Sequence, residues 1–151
     1  MKTTQPSGAA AKSLLPVPGW VPEPGDVIHY SYLWRDEFKA GKEDGAKDRP
    51  CLVLVSELRG NTTRIIVAPI TSQDFAGSTS IKVPQPFIDA MNLKPGSLII
   101  ASDLNAFDWI SPDVRPRENA STHYGHISAK LTDSVLAAAQ QLRVPLTGRT
   151  I

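Results

Sequence analysis

Two apolar runs joined by a short polar turn constrain this chain more than any other feature. "RPCLVLVSE" opens at Arg49, "RIIVAPITS" spans Arg64–Ser72, and "LRGNTT" lies between them. The first run is apolar nearly throughout, the pattern of a strand covered on both faces. So short a link joins antiparallel neighbours, which makes the pair a hairpin.

The flanking segments supply more strands and one good helix. "GDVIHYSYLW" (Gly25–Trp34) alternates its side chains and is rich in β-branched and aromatic residues, so it reads as the first strand. "RDEFKAGKEDGAKD" (Arg35–Asp48) is dominated by charge, lacks an apolar stripe and reads as a long mobile loop, a type that is usually functional or disordered. "IKVPQ" fits a further strand, "PFIDAMNL" one or two helical turns with Pro86 at the first position, and "LIIASDLNAFDWI" a long strand or a bent pair. "SPDVRPRENASTHYG" reads as surface loop. In "SAKLTDSVLAAAQQLR", Leu131, Val135, Leu136, Ala139 and Leu142 recur at helical spacing, with Ser128 as N-cap and Pro145 as the stop. Residues 1–24, holding five of the 13 prolines, form an extended tail that Trp20 staples to the domain. The domain proper covers 25–145, and 146–151 is a short tail. The expectation is a mainly β fold with a C-terminal helix, its five to seven short strands curled into a small antiparallel barrel.

Sixteen Lys and Arg stand against 15 Asp and Glu, a formal charge of +1. A protein that grips long duplex nucleic acid by neutralising phosphates would be far more basic, so any nucleic-acid site here is short and local. Cys51 is the only cysteine; it reads as a small buried hydrophobe and excludes an intrachain disulfide. One cysteine and three scattered histidines give no metal-site spacing, and no cofactor-binding motif is present. No stretch is long enough to span a membrane, and "SLLPV" is too short and proline-broken for a signal-peptide core, so the expected location is cytoplasmic.

The standard catalytic devices are missing: no G-x-S-x-G, no P-loop, no paired carboxylates in a shared apolar setting. What remains is an arginine at a strand entrance and hydroxyls at a strand exit. Arg49 opens the second strand, while Thr71 and Ser72 close the third, and a hairpin brings those ends together. A guanidinium and a hydroxyl facing one point suit a phosphate oxygen. The plainer alternative is surface pairing of Arg49 with Asp48, Asp103 or Glu57 while Thr71 caps a turn. Residue types alone favour that alternative, since most surface ion pairs are incidental.

Taken in order, "GDVIHYSY", "DRPCLVLV", "IIVAPITS", "IIASDLNAFDWI" and the terminal helix resemble the PemK/MazF family of toxins from bacterial toxin–antitoxin pairs, from about Gly25 to Leu142. The resemblance implies a small SH3-like barrel with a terminal helix, usually a homodimer. It also implies a metal-independent, sequence-specific endoribonuclease that needs no cofactor and cuts single-stranded RNA. In that chemistry the 2′-hydroxyl attacks its own phosphate, leaving a cyclic phosphate and a 5′-hydroxyl. The implied partners are RNA and a cognate antitoxin with a disordered segment that folds on binding.

By the same resemblance Arg49 stabilises the phosphorane and Thr71 orients the phosphate, with Pro50 and Ser72 as neighbouring substrate contacts. Asp103 is an auxiliary candidate, and His29, Asp36 and Glu37 are candidate proton-transfer helpers. The chain departs from the family in its longer charged loop, its proline-rich tail, Leu104 where relatives often carry Gln, and Ala101 where some carry Arg. A non-catalytic barrel that binds a protein or nucleic acid is the alternative, and a plain interaction module would draw an aromatic groove from Trp34, Trp109 and Tyr124.

Overall fold

The computed structural model describes residues 19–42, 47–117 and 121–148. The start of the proline-rich segment, part of the charged loop and the last three residues lie outside them.

At the centre is the expected hairpin, β2 (Asp48–Arg59) against β3 (Thr62–Thr71), with Arg59 opposite Thr62. The two-residue turn needs Gly60, whose φ is +60°. β1 (Asp26–Ser31) pairs antiparallel with the other edge of β2. β3 serves two partners on its free edge. Its first half, Thr63 to Val67, pairs with β6 (Leu104–Trp109), and Ile70–Thr71 pair with β5 (Leu98–Ile100). The change of partner falls at Ala68–Pro69, where proline has no N–H to give a ladder. β4 (Ser80–Lys82) flanks β5, β7 (His123–His126) flanks β1, and β8 (Leu146–Gly148) runs parallel to β6.

β2 is buried on both faces, as its composition demands. Leu52 and Leu54 enter one apolar cluster with Ile70, Ile99, Val135 and Ala139, whereas Cys51 and Val53 enter another with Tyr30, Ile65 and Phe107. The first cluster is roofed by α3 (Ala129–Leu142), whose N-cap Ser128 accepts a hydrogen bond from the Leu131 N–H at 3.3 Å. Arg143 closes that helix in the left-handed region, φ 55°, two residues before Pro145. Trp20 does pack as a staple: its ring meets Trp109 edge-on at 5.6 Å, and its carbonyl accepts the Trp109 indole N–H at 3.0 Å.

The fold class stands as a mostly antiparallel sheet with a C-terminal helix, but "barrel" describes it only loosely. Six of the eight strands form a path from β4 to β7, with β6 and β8 branching from β3, and the two ends of that path do not pair, so the sheet curls without closing. Other expectations need correction. Arg35–Lys39 is a short helix, α1, in place of loop; Glu37 Oε1 accepts the Trp34 N–H at 3.1 Å and starts it. Of the two readings of "LIIASDLNAFDWI" the pair of strands is the one found, broken at Ala101–Asp103. The second helix, α2 (Gln85–Met91), is present, yet Pro84 is its N-cap and Pro86 lies inside its first turn.

The segment read as surface loop contains β7, and the sheet runs on to Gly148, inside the stretch read as tail. β7 carries no β-branched residue. It forms because Gly125, at φ +152°, lets Met91 pack where a Cβ would sit 2.8 Å from its Cγ.

Candidate functional site

At its open end the hairpin's pairing stops at Cys51 opposite Pro69. Two residues further along each strand stand Arg49 and Thr71. Both line one cavity of about 300 Å³, together with His29, Pro50, Ser72, Lys47, Asp48, Lys94, Ser97 and Tyr124. Three of these walls are cationic: Lys47, Arg49 and Lys94. Among the described residues Arg49 has no carboxylate partner, so the surface-pairing alternative does not describe it.

Its three candidate partners are engaged elsewhere. Asp48 faces Arg115 at 3.5 Å and His29 at 3.7 Å, Glu57 binds Arg59 at 2.7 Å, and Asp103 accepts from the Tyr32 hydroxyl and the Arg35 N–H. The Arg49 guanidinium lies instead over the Trp34 ring, and its buried Nε has no hydrogen-bond acceptor. A guanidinium supported by an aromatic face and short of acceptors is disposed to take an external anion. Thr71 is buried, and its Oγ1 accepts the Gln73 N–H at 3.2 Å, leaving the hydroxyl hydrogen to donate.

His29 enters the same cavity from β1. Its Nδ1 is 2.8 Å from the Tyr124 hydroxyl. Burial lowers the His29 pKa below its ordinary 6.5; nearby Arg117 and Arg115 lower it further, while Asp48 opposes them. The imidazole is therefore neutral at neutral pH. Burial likewise pushes the Tyr124 phenol up to about 12, so it keeps its proton.

The other named candidates lie apart. Asp36, Glu37 and Asp103 line a second cleft of about 560 Å³ with Trp34, Arg35 and Phe75. Glu37 is occupied in starting α1, and Asp103 in tying α1 to β1. Burial raises the Asp103 pKa against the opposing hydrogen bonds from Tyr32 and the Arg35 N–H. Trp34, Trp109 and Tyr124 do not share a groove: Trp34 lines the second cleft, Tyr124 the first cavity, and Trp109 packs on Trp20.

Sequence reading missed Lys94 and Ser97, and named Tyr124 only as an aromatic of an interaction groove. The first two sit on the "KPGS" turn, which carries polar signals but nothing to say which strand end it would face.

The class of protein is a small, open, mostly antiparallel sheet with a C-terminal helix, its central hairpin ending at a cavity lined by Lys47, Arg49 and Lys94. The chain belongs to the family of PemK-like, MazF-like toxins of type II toxin–antitoxin systems, whose model matches residues 24–142. No curated protein and no solved structure matches it. Membership makes it the toxin of a pair whose other member is an antitoxin. Among the described residues no helix is long and apolar enough to cross a membrane.

Proposed function

We propose that this toxin is a metal-independent endoribonuclease acting on single-stranded RNA in the cytoplasm, as a homodimer that the antitoxin silences. The observation that carries this reading is the convergence of Arg49 and Thr71 on one cavity, with Arg49 lacking any carboxylate partner among the described residues. The guanidinium sits where it can neutralise the charge that grows on the phosphorane, and the Thr71 hydroxyl where it can donate to a phosphate oxygen. Preorganised donors of this kind contribute roughly 10²–10³-fold each. Lys47 and Lys94 draw the RNA backbone in, and Pro50 and Ser72 complete the wall beside the phosphate. The unit that carries the activity begins near residue 25, with 1–24 as an extension to it.

Digestion of a long, mixed-sequence, single-stranded RNA in excess chelator tests the reading. Wild type should leave cyclic phosphate and 5′-hydroxyl ends, and Arg49→Ala should not. Cleavage that depends strictly on added metal, or that survives in Arg49→Ala, rules the proposal out.

A further inference from the structure

Tyr124 occupies an irregular place in the sheet. On β1, Val27 pairs with Gly125 and the next residue, Ile28, pairs with His123, so Tyr124 is the extra residue of a bulge. Bulges re-aim a side chain and are frequent beside active sites. This one turns the Tyr124 ring into the cavity that holds Arg49 and Thr71, against His29.

We propose that Tyr124 and His29 form a proton relay that activates the RNA 2′-hydroxyl in this cavity, with Asp48 orienting the imidazole. The inference rests on the ribonuclease reading above and deepens it. Asp48 Oδ2 lies 3.7 Å from His29 Nε2 and favours the tautomer that carries its hydrogen there. Nδ1 then presents a lone pair, and the Tyr124 O–H donates to it across 2.8 Å. The phenol oxygen keeps lone pairs to receive a proton from the cavity side.

In the step itself, the Tyr124 oxygen takes the 2′-hydroxyl proton while its own proton passes to His29 Nδ1. The freed O2′ electron pair forms the bond to phosphorus, and the bond from phosphorus to the 5′ oxygen breaks with its pair going to that oxygen. The departing oxygen takes a proton from water and the imidazolium returns its proton to water, so the sum is neutral.

The residues carrying both rings are held in place. The His29 backbone N–H donates to the Thr122 carbonyl at 2.8 Å, and the His29 backbone carbonyl accepts the Arg115 N–H at 3.0 Å. The Arg117 guanidinium lies 4.0 Å from the Tyr124 ring centroid and is itself fixed by the Ser121 carbonyl at 2.8 Å. The charged groups facing His29 are Asp48 from β2 and Arg115 and Arg117 from the segment before β7, with Lys47, Arg49 and Lys94 on the same cavity. Burial, helped by Arg117 and Arg115 against the opposing Asp48, keeps His29 neutral at neutral pH and ready to accept. Tyr124 remains a phenol able to pass a proton on.

The test is single-turnover cleavage of a long, mixed-sequence, single-stranded RNA across pH by wild type, Tyr124→Phe and His29→Asn. Binding of the same RNA made with 2′-O-methyl groups is measured alongside. Wild-type rates should fall on acidification, with the limb on the acid side of the ordinary histidine value, as His29 takes up a proton. Each variant should cut at least about 10²-fold more slowly, as loss of general base catalysis requires, and His29→Asn should lack the acid limb. Binding of the methylated RNA should stay within about twofold in both, which a collapsed fold could not do.

Tyr124→Phe cutting at the wild-type rate with its acid limb intact overturns the relay and leaves the Arg49–Thr71 reading standing. If His29→Asn does not fold, the Tyr124→Phe rate decides the matter. Wild type that cuts no single-stranded RNA overturns both.

Discussion

Cζ of Arg49 lies 5.1 Å from the centroid of the Trp34 ring. Trp34 is in turn braced edge-on by Tyr32 at 5.1 Å and Phe75 at 5.4 Å. The cation at the strand entrance is therefore aimed by an aromatic stack built from the exit of β1 and the loop after β3. Trp34→Leu should lower the cleavage rate by roughly 3–30-fold, the equivalent of the ~0.5–2 kcal/mol that such a contact supplies. Rates measured beside a thermal melt separate this from unfolding.

Arg49→Lys should be nearly as damaging as Arg49→Ala. A lysine keeps the charge but offers a point ammonium in place of a planar fork, and it loses the stacking on Trp34. Induced expression should arrest bacterial growth with wild type. Both variants should relieve the arrest, at unchanged protein level.

Acid stability should depend on Asp26. Burial works against its charge, but hydrogen bonds from His123, from the Glu23 N–H and from His126 outweigh it and hold the carboxyl down to about 2. A depressed carboxylate stabilises the fold above its unfolded value of 3.8, and that contribution fades as pH falls from there toward 2. Asp26→Asn should cost on the order of 1–2 kcal/mol at neutral pH and flatten the acid limb of a denaturation series.

Gly25→Ala should destabilise the protein by more than about 1 kcal/mol. Gly25 has φ +103°, and a Cβ there would lie 2.6 Å from His126 Nε2 and 2.8 Å from the Ile127 carbonyl oxygen. Its N–H and carbonyl also bind Val53 and Ile127, at 2.9 and 2.7 Å, so the backbone cannot move away without breaking the sheet. Chemical denaturation of the two proteins measures the difference.

The central hairpin, the buried β2 and the capped terminal helix were legible because each has a period or a run long enough to outvote its neighbours. Ser128, Val135 and Ala139 announce α3 without help from the rest of the chain. α1, β7 and β8 were not legible, since they span 5, 4 and 3 residues and owe their form to partners. β7 needs Met91 over Gly125, and β8 needs the free edge of β6. The site divides in the same way. That Arg49 and Thr71 meet follows from hairpin geometry, although their reading as a site comes from the family resemblance, whereas Tyr124 reaches the cavity through a bulge that no local pattern of residues records. Asp36 and Glu37 lie close to Arg49 in sequence, but the turn into α1 directs them to the other cleft.

Asn105 is fully buried on β6, where its side chain accepts the Leu33 N–H at 3.0 Å and donates to the Leu33 carbonyl at 2.7 Å. An amide thus stands in for a whole neighbouring strand, and the backbone can depart from the sheet at that point without stranding either polar group. The residue that follows is Trp34. Position 105 therefore acts on Arg49 at second hand, and an Asn105→Leu protein would blunt the toxin by letting go of its aromatic rest.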